Sequence, residues 1–526
     1  MIACPNCGAN LKFSPKTQTM LCDFCASEFD PKLFGLNKDA EEHTISQQEY
    51  GDGPVDEAAG EDNAYNAQDG TSSDRKEEDT YQVTIFTCPQ CGGELLSVDE
   101  NTAAAFCSFC GASTILSSRI ARDKRPEYII PFSKTKEDCK EAYLKLVKKA
   151  LFLPKEYKSA EYIDGFRGIY MPYWSYDVVQ KGKVRLKGER SHRSGDYIIT
   201  DHYALTGDID AVYDGLSYDA ASSFSDSISE ALAPFDVSKR VPFEPSYMSG
   251  YYADIADVDK KVYAEEASVF AYDRSLERIK SDTPEFRKFT ITEDNPTASV
   301  SSNPGTRTAF SSKTTNAHSS MYPVWFLSYR NGDRVTYATV NGQTGKVAAD
   351  LPVDVRKYLI GTAVLAVIIF MFLNMFLVLT PGVLLGTAIV LTIMEFIINM
   401  LQRSSIEDTV RGDNDKGLKH ILNKKRLASA GKNKENSDVL PNQIRVEEAE
   451  MDGTEKILLA VGLVMVIVEL LTLFLIQPVN DMPYYVMVVI NAVIFMFSFR
   501  YTFNNYNIMA TRRLPQFDRK GGDDRA

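Results

Sequence analysis

At 526 residues the chain is too long for one compact core, so three or four structural units are expected. With 71 Asp and Glu against 58 Lys and Arg, a net charge of -13 and a pI near 5.1, it lacks the overall cationic surface that phosphate-backbone binding draws on, and any basic patch must be local. The mean hydropathy of -0.21 averages a polar N-terminal half with long apolar runs after Tyr358, which points to a membrane protein.

The first unit, residues 1–36, carries CPNC at Cys4 and Cys7 and CDFC at Cys22 and Cys25. Residues 37–80 follow, acidic and poor in apolar side chains, so burial cannot offset the entropy of ordering them and they read as a disordered linker. The cysteine plan returns in residues 81–120 at Cys88, Cys91, Cys107 and Cys110, an internal repeat whose two copies are expected to move independently across the spacer.

Residues 121–354 read as an α+β cytosolic region. Thr135 with Asp138 three residues on forms a capping box, and Cys139, Tyr143, Leu146, Val147, Ala150 and Leu151 share one helix face before Pro154 ends it, which makes the ninth cysteine a core residue. Residues 165–246 are rich in Tyr, Val and Ile and read as β-structure, and a second amphipathic helix is expected over about 258–280. The hairpin signals Asn331-Gly332 and Asn341-Gly342 predict a three-stranded meander at the end of this region. Both tryptophans, Trp174 in YMPYWSY and Trp325 in YPVWFLSY, stand two residues after a proline, which suggests related or paired strands. Aromatic neighbours such as Tyr170, Tyr173, Tyr176 and Tyr322 admit a binding groove, but core packing is the favoured reading.

Four apolar segments, about 358–379, 382–401, 457–476 and 484–503, are each near the roughly 20 residues a helix needs to cross a bilayer. They predict an all-α bundle of two transmembrane hairpins, 355–403 and 456–504, joined by a basic and polar loop, 404–455, and followed by a tail, 505–526. The Thr380-Pro381 link has no charge and the 477–483 link has only Asp481, whereas Arg356, Lys357, Arg403, Lys424, Lys425, Arg426, Arg500, Arg512 and Arg513 lie at the other side. The positive-inside rule then puts the N-terminus, central loop and C-terminus in the cytoplasm, in a multi-pass protein of the cell membrane. The basic loop around Lys424 could equally rest on anionic headgroups or serve only as the topogenic signal.

The eight paired cysteines carry the chemistry. Two C-x-x-C knuckles joined by a short hairpin can bring four thiolates around one tetrahedral zinc, and the ligand set Cys4, Cys7, Cys22, Cys25 is completed a second time by Cys88, Cys91, Cys107, Cys110. With no His or Glu to open a coordination position, both Zn2+ ions are expected to be structural, and pairs that come in fours speak against redox dithiols. The first pair begins at Cys4, leaving no room ahead of it for a secretory signal, so a reducing cytosol is expected. In the first ribbon Lys12, Lys16 and Lys32 are set against Asp23, Glu28 and Asp30, and the second holds Glu94, Asp99 and Glu100, so protein binding is favoured over nucleic acid. Glu395 and Glu469 lie within apolar segments and should face the bundle interior, bonded to Asn374, Asn399 or Asn491, either as interhelical bonds or as part of an ion or proton path. The first alternative is favoured. No enzyme signature is present: GQTGKV at Gly342 lacks P-loop spacing, and neither HExxH nor G-x-S-x-G occurs.

The ribbons CPNC…CDFC and CPQC…CSFC, with EYIIPFSKTKEDCKEAYLK, GIYMPYWSYD, SGYYADIAD and YPVWFLSY…YATVNGQTGKVAADLP, together resemble bacterial TFIIB-type zinc-ribbon membrane proteins, from residue 1 to about 352. The resemblance implies zinc on the eight cysteines. It also implies an envelope-stress scaffold, because some such proteins are encoded with phage-shock-type and SPFH-type membrane proteins, while others carry helicase-like names. The duplicated ribbon, the acidic linker and the second helical hairpin depart from the simple family plan. The expected function is a non-enzymatic, membrane-anchored zinc-ribbon adaptor for cytosolic or membrane proteins. The alternatives are a small ion or solute transporter or channel with regulatory ribbons, and a membrane-tethered nucleic-acid binder.

Overall fold

The computed structural model describes residues 2–34, 80–98, 107–111, 117–286, 288–291, 310–376, 380–411, 415–421 and 453–513. The acidic linker up to residue 79, Asp99 and Glu100, the loop basics Lys424, Lys425 and Arg426, residues 514–526 and the side chains of Asn374 and Arg513 lie outside the described residues.

The first ribbon is a small antiparallel sheet of β1 (Leu11–Ser14), β2 (Thr19–Cys22) and β3 (Glu28–Phe29). A second sheet takes up the remaining strands and begins with β4 (Thr80–Thr87), β5 (Glu94–Ser97), β6 (Ser117–Lys124) and β7 (Tyr128–Ile129). Its spine is β8 (Arg167–Ser194), which turns at Gly195 into β9 (Tyr197–Asp219) and pairs along its other edge, antiparallel, with β13 (Ser311–Asn331). Short strands β10 (Val241–Pro242), β11 (Tyr252–Ala253) and β12 (Lys288–Ile291) add to β7 and β8. Beyond β13 come β14 (Arg334–Asn341), β15 (Val347–Ala349) and β16 (Arg512–Arg513).

The two Pro-x-Trp segments are indeed paired, with Trp325 opposite Gly168 and Trp174 opposite Ser319. Each indole N–H is satisfied by a backbone carbonyl, Trp174 donating to Val258 and Trp325 to Lys134, both at 2.9 Å. Tyr170, Tyr176 and Tyr322 are buried and Tyr173 is stacked on Tyr322, so these aromatics are core rather than groove. The meander β13–β14–β15 forms as expected, with Gly332 at φ +64 closing its first turn and the Asn341 side chain accepting from the N–H groups of Gln343 and Thr344 in its second.

Helix α1 (Lys136–Lys149) starts with the complete Thr135/Asp138 capping box and buries Cys139, Tyr143 and Val147 under the sheet. Leu151 does not join that face. The helix ends two residues earlier and leaves Leu151 76% exposed. After α2 (Ala160–Ile163) and α3 (Asp226–Leu232), the second amphipathic helix is α4 (Ala264–Asp282), starting later than the expected 258 because Val258 lies in the preceding loop, where its carbonyl serves Trp174.

The apolar segments form α5 (Val355–Phe376), α6 (Pro381–Arg411), α7 (Gly453–Leu471, continued by a π-turn to Ile476) and α8 (Met482–Met509). Among the described residues, three helices are long and apolar enough to cross a membrane by length and composition: Pro381–Thr409, Lys456–Ile476 and Met482–Met509. The expectation of four spans in two hairpins therefore gives way to three. The segment expected to be first is helical, but residues 377–379 and several of its side chains lie outside the described residues, and its start is tied to the sheet body by Lys357, whose ammonium donates to the Leu153 carbonyl.

The body sits directly on one end of these helices. Arg334 of β14 donates to the carbonyls of Ile508 and Thr511 at 2.9 Å each, β16 continues from α8 into the sheet, and Asn507 both accepts from the Val353 N–H and donates to its carbonyl. A short part of the central loop, residues 415–421, also docks on the body: Asp226 of α3 accepts from the Lys416 N–H and from the Tyr263 hydroxyl, and the Lys416 ammonium reaches Glu266.

That docking gathers acids. Burial, then Asp226 and Asp415, push the Asp219 carboxyl far up, and burial followed by Asp226 raises Asp415 to about 6, against a smaller opposing pull from Arg512. Glu230 is also raised, by burial and then by Asp226 and Glu266, with Lys416 opposing. Carboxyls raised on folding bind protons more readily in the docked state, so their contribution is complete below the ordinary Asp range and is lost as pH rises through about 6 for Asp415. Amides of Lys416 and Leu418, corrected for intrinsic exchange, should be more protected at pH 5 than at pH 8, and Asp415→Asn should flatten that dependence.

Candidate metal centres

Both four-cysteine groups come together, the four Sγ atoms of each lying within 4.8 Å of one another. Cys4–Cys25 stand at 3.6 Å and Cys7–Cys22 at 3.4 Å in the first, and Cys88–Cys110 at 3.8 Å and Cys91–Cys107 at 3.7 Å in the second. Ligands about 2.3 Å from a tetrahedral ion stand about 3.8 Å apart, so the thiols are already near the spacing a zinc-type tetrahedron requires. Two Cys4 groups able to hold two metal ions are thus present, and they fit zinc ribbons.

The local chain explains why. All four knuckles close the same way, with the backbone N–H of the residue after the second cysteine donating to the carbonyl of the first: Gly8 to Cys4, Ala26 to Cys22, Gly92 to Cys88 and Gly111 to Cys107, at 2.9–3.0 Å. That residue is left-handed every time, at φ +74, +54, +72 and +68. Three knuckles supply glycine there, and Ala26 accepts the conformation at a cost of about 1 kcal/mol. Residue identity after C-x-x-C is a signal the cysteine spacing alone does not convey.

Four thiols this close cannot all ionise unless a cation shares them. The Ser27 hydroxyl and backbone N–H pull Cys25 down to about 6, whereas Cys7, although the Ala9 backbone lowers it, is pushed by Cys22 and Cys25 up to about 12. In the second group the Cys107 thiol draws Cys88 down to about 6, while Cys110 and Cys88 drive Cys107 far up. A divalent metal that displaces the remaining protons therefore binds more weakly as pH falls.

The surroundings of the two centres differ. In the first, Cys4 and Cys22 are buried but Cys7 and Cys25 are exposed, and Phe24 between the knuckle cysteines is 85% exposed. In the second all four cysteines are buried. Its walls come from the meander: the Tyr337 hydroxyl donates to the Phe109 carbonyl at 2.7 Å, Ser328 reaches the Cys107 carbonyl, and Arg330 packs under Gly111 and donates to Gln90. Through β5, which pairs with β11, this ribbon is part of the large sheet.

The first ribbon is docked as well. Phe13 N–H donates to the Ser249 carbonyl, the Ser249 hydroxyl to Leu11, the Ser246 hydroxyl to Pro31 and the Gln18 amide to Phe132, while Leu11, Phe13 and Met20 share a core with Tyr247 and Met248. The expected independent motion of the ribbons is replaced by two modules fixed to one body, because each buries an apolar face there that it could not cover alone. Lys12 is paired with Asp23 at 2.9 Å, in line with the balanced charge of this ribbon.

A chelator titrated into the metal-loaded protein should strip the first centre well before the second, read by mass spectrometry of alkylated cysteines. Ala26→Gly should retard loss from the first centre by the equivalent of about 1 kcal/mol in unfolding of that ribbon. In comparison with known proteins, no family model and no solved structure matches the chain. It is similar to a protein of Bacillus subtilis (strain 168) that bears the name uncharacterized protein YdjG, with 26% identity over 328 residues, covering 52% of this chain and 92% of that protein.

Proposed function

We propose that the chain is a membrane-anchored zinc-ribbon adaptor, which binds protein partners rather than catalysing a reaction. The observation that carries this reading is the first ribbon's orientation: its apolar strands are fastened to the sheet body while the metal knuckle turns Phe24, Cys7 and Cys25 to solvent. An exposed aromatic on a metal-braced turn is preorganised and loses little conformational entropy when covered. Thiolate donors at tetrahedral spacing make zinc the metal of choice for both centres.

In this reading α5, whose Tyr358 packs on Phe499 and Phe503 of α8, crosses the membrane as well. Arg356, Lys357, Arg403, Arg500 and Arg512 stand toward the body end, while the 477–483 link carries only Asp481, so the body, central loop and both chain ends face the cytoplasm. Partners of the phage-shock or SPFH type, which the family resemblance implies, are the first to test, and an envelope-stress role rests on them.

The test is affinity purification of the full chain in mild detergent, with metal analysis and identification of co-purifying proteins. Two zinc ions per chain are expected, together with a reproducible protein partner that is lost in Phe24→Ser while both zincs remain. Absence of zinc, or partner binding indifferent to Phe24→Ser, would overturn the reading.

A further inference from the structure

Helices α6 and α8 run parallel, because their facing residues ascend together. The Thr392 hydroxyl donates to Asn491 Oδ1 at 2.8 Å, Ser498 hydrogen-bonds the Glu395 carboxylate, and the Thr502 hydroxyl donates to Asn399 Oδ1 at 3.1 Å. The next pair of positions is Gln402 and Asn505. Residues 392, 395, 399 and 402 of α6, and 498, 502 and 505 of α8, follow the alternating three-and-four spacing of a heptad seam. Such a seam is ordinarily apolar, and here it is polar over at least three turns. The antiparallel α7 joins it where Asn491 Nδ2 donates to Glu469 Oε2 at 3.3 Å.

These groups are inside the bundle. Glu395, Asn399, Glu469, Asn491 and Asn505 are 7%, 3%, 0%, 2% and 0% exposed. Several of their atoms are unsatisfied: Glu395 Oε1, Glu469 Oε1, Gln402 Oε1 and both polar side-chain atoms of Asn505 have no hydrogen-bond partner among the described residues. Polar atoms left unpaired in an apolar bundle cost too much to be incidental to it, and carboxylates there stay charged only with a partner.

The spacing discriminates between ligands. Glu469 lies at the level of Asn491 and Glu395 at the level of Ser498, seven residues further along α8, or about 10 Å at 1.5 Å per residue. Oxygens that share a metal cation must each approach it to about 2.5 Å, so carboxylates on different rungs do not form one chelate. A proton needs only one oxygen at a time. At the end away from the body, Leu385 and Ile389 are buried against Leu473, Tyr484 and Met487 and close the seam with hydrocarbon. At the other end Gln402 and Asn505 lead to the junction where Asn507 holds Val353.

We infer that this seam is a proton path, open toward the sheet body and ending at Glu469, with Glu395 as the intermediate acceptor. A proton arriving past Gln402 and Asn505 adds to the free Oε1 of Glu395 and converts carboxylate to carboxylic acid. Relayed to Glu469 Oε1 by water entering the seam, each hop breaking one O–H bond as another forms, it restores the Glu395 carboxylate and no electrons move between groups. The apolar closure beyond Glu469 makes the path a loading site instead of a leak.

The test uses the full chain in sealed vesicles of known orientation, established by protease access to the sheet body, with pH set separately on each side. A hydrophobic carbodiimide, which reacts with protonated carboxyls in apolar surroundings, is added and modification of Glu395 and Glu469 is read by peptide mass spectrometry. Labelling at both positions should rise several-fold when the body side is taken from pH 8 to pH 6, and should ignore the opposite side. The double variant Gln402→Leu, Asn505→Leu should lose that response with both metals and the helical content retained, and Glu469→Gln should keep it at Glu395. Labelling that follows the opposite side, or neither side, in the unaltered protein overturns the proposal whatever the variants do, as does a response that survives the double variant.

Discussion

The antiparallel pairing of β8 with β13 is the constraint on which the rest of the molecule depends. It brings residues 167–181 against 311–326, and every other strand of the large sheet joins one of these two directly or through intervening strands. Pro172 and Pro323 sit within it, positions where a central sheet would lose ladder bonds, and their carbonyls are used instead: Pro172 accepts from the Ala220 N–H and Pro323 from the Gly342 N–H, each at 2.8 Å. Those two bonds draw the α3 loop and the second meander turn onto the strand pair. The paired tryptophans then fix α1 through the Lys134 carbonyl and the α4 approach through the Val258 carbonyl.

The two metal groups share a chain plan but not an environment, and the difference comes from what each ribbon covers. The second lies under the meander, where Tyr337 and Ser328 satisfy knuckle backbone carbonyls, Arg330 donates to the Gln90 side chain and solvent is shut out, so its metal would hold the sheet's own edge together. The first buries only the faces of its strands, and its knuckle turns remain outside. One ligand set thus stands in two settings, enclosed by the body in one place and half exposed in the other.

Local features were legible in the sequence. The cysteine spacing marked both metal groups, Thr135 and Asp138 marked the start of α1, Asn331-Gly332 marked a turn, and the apolar runs marked the helices. Apart from the two Pro-x-Trp strands, pairing at a distance was not legible. Nothing around Leu96 announces that it lies opposite Ala253, yet that contact merges the second ribbon into the large sheet. The polar seam was half visible: Glu395 and Asn399 stood out, but Gln402 and Asn505 acquire meaning only once α6 and α8 are known to run parallel, and sequence adjacency favours antiparallel neighbours. Leu151 shows the reverse error, a periodic pattern carried two residues past the true end of its helix.

The hairpin of β8 and β9 gives the molecule a mechanical character. One strand, irregular only between Tyr176 and Val178, runs from Arg167, level with Phe326 near the bundle end of β13, to Ser194 at a tip where Tyr197 and Ile198 are 78% and 76% exposed, roughly 90 Å of contour at about 3.3 Å per residue. A load applied at the tip along the strand acts on the β8–β13 ladder in shear, and rungs loaded in shear share the force rather than opening one after another. A pull along the hairpin is therefore resisted by the same strand pair on which the sheet is built.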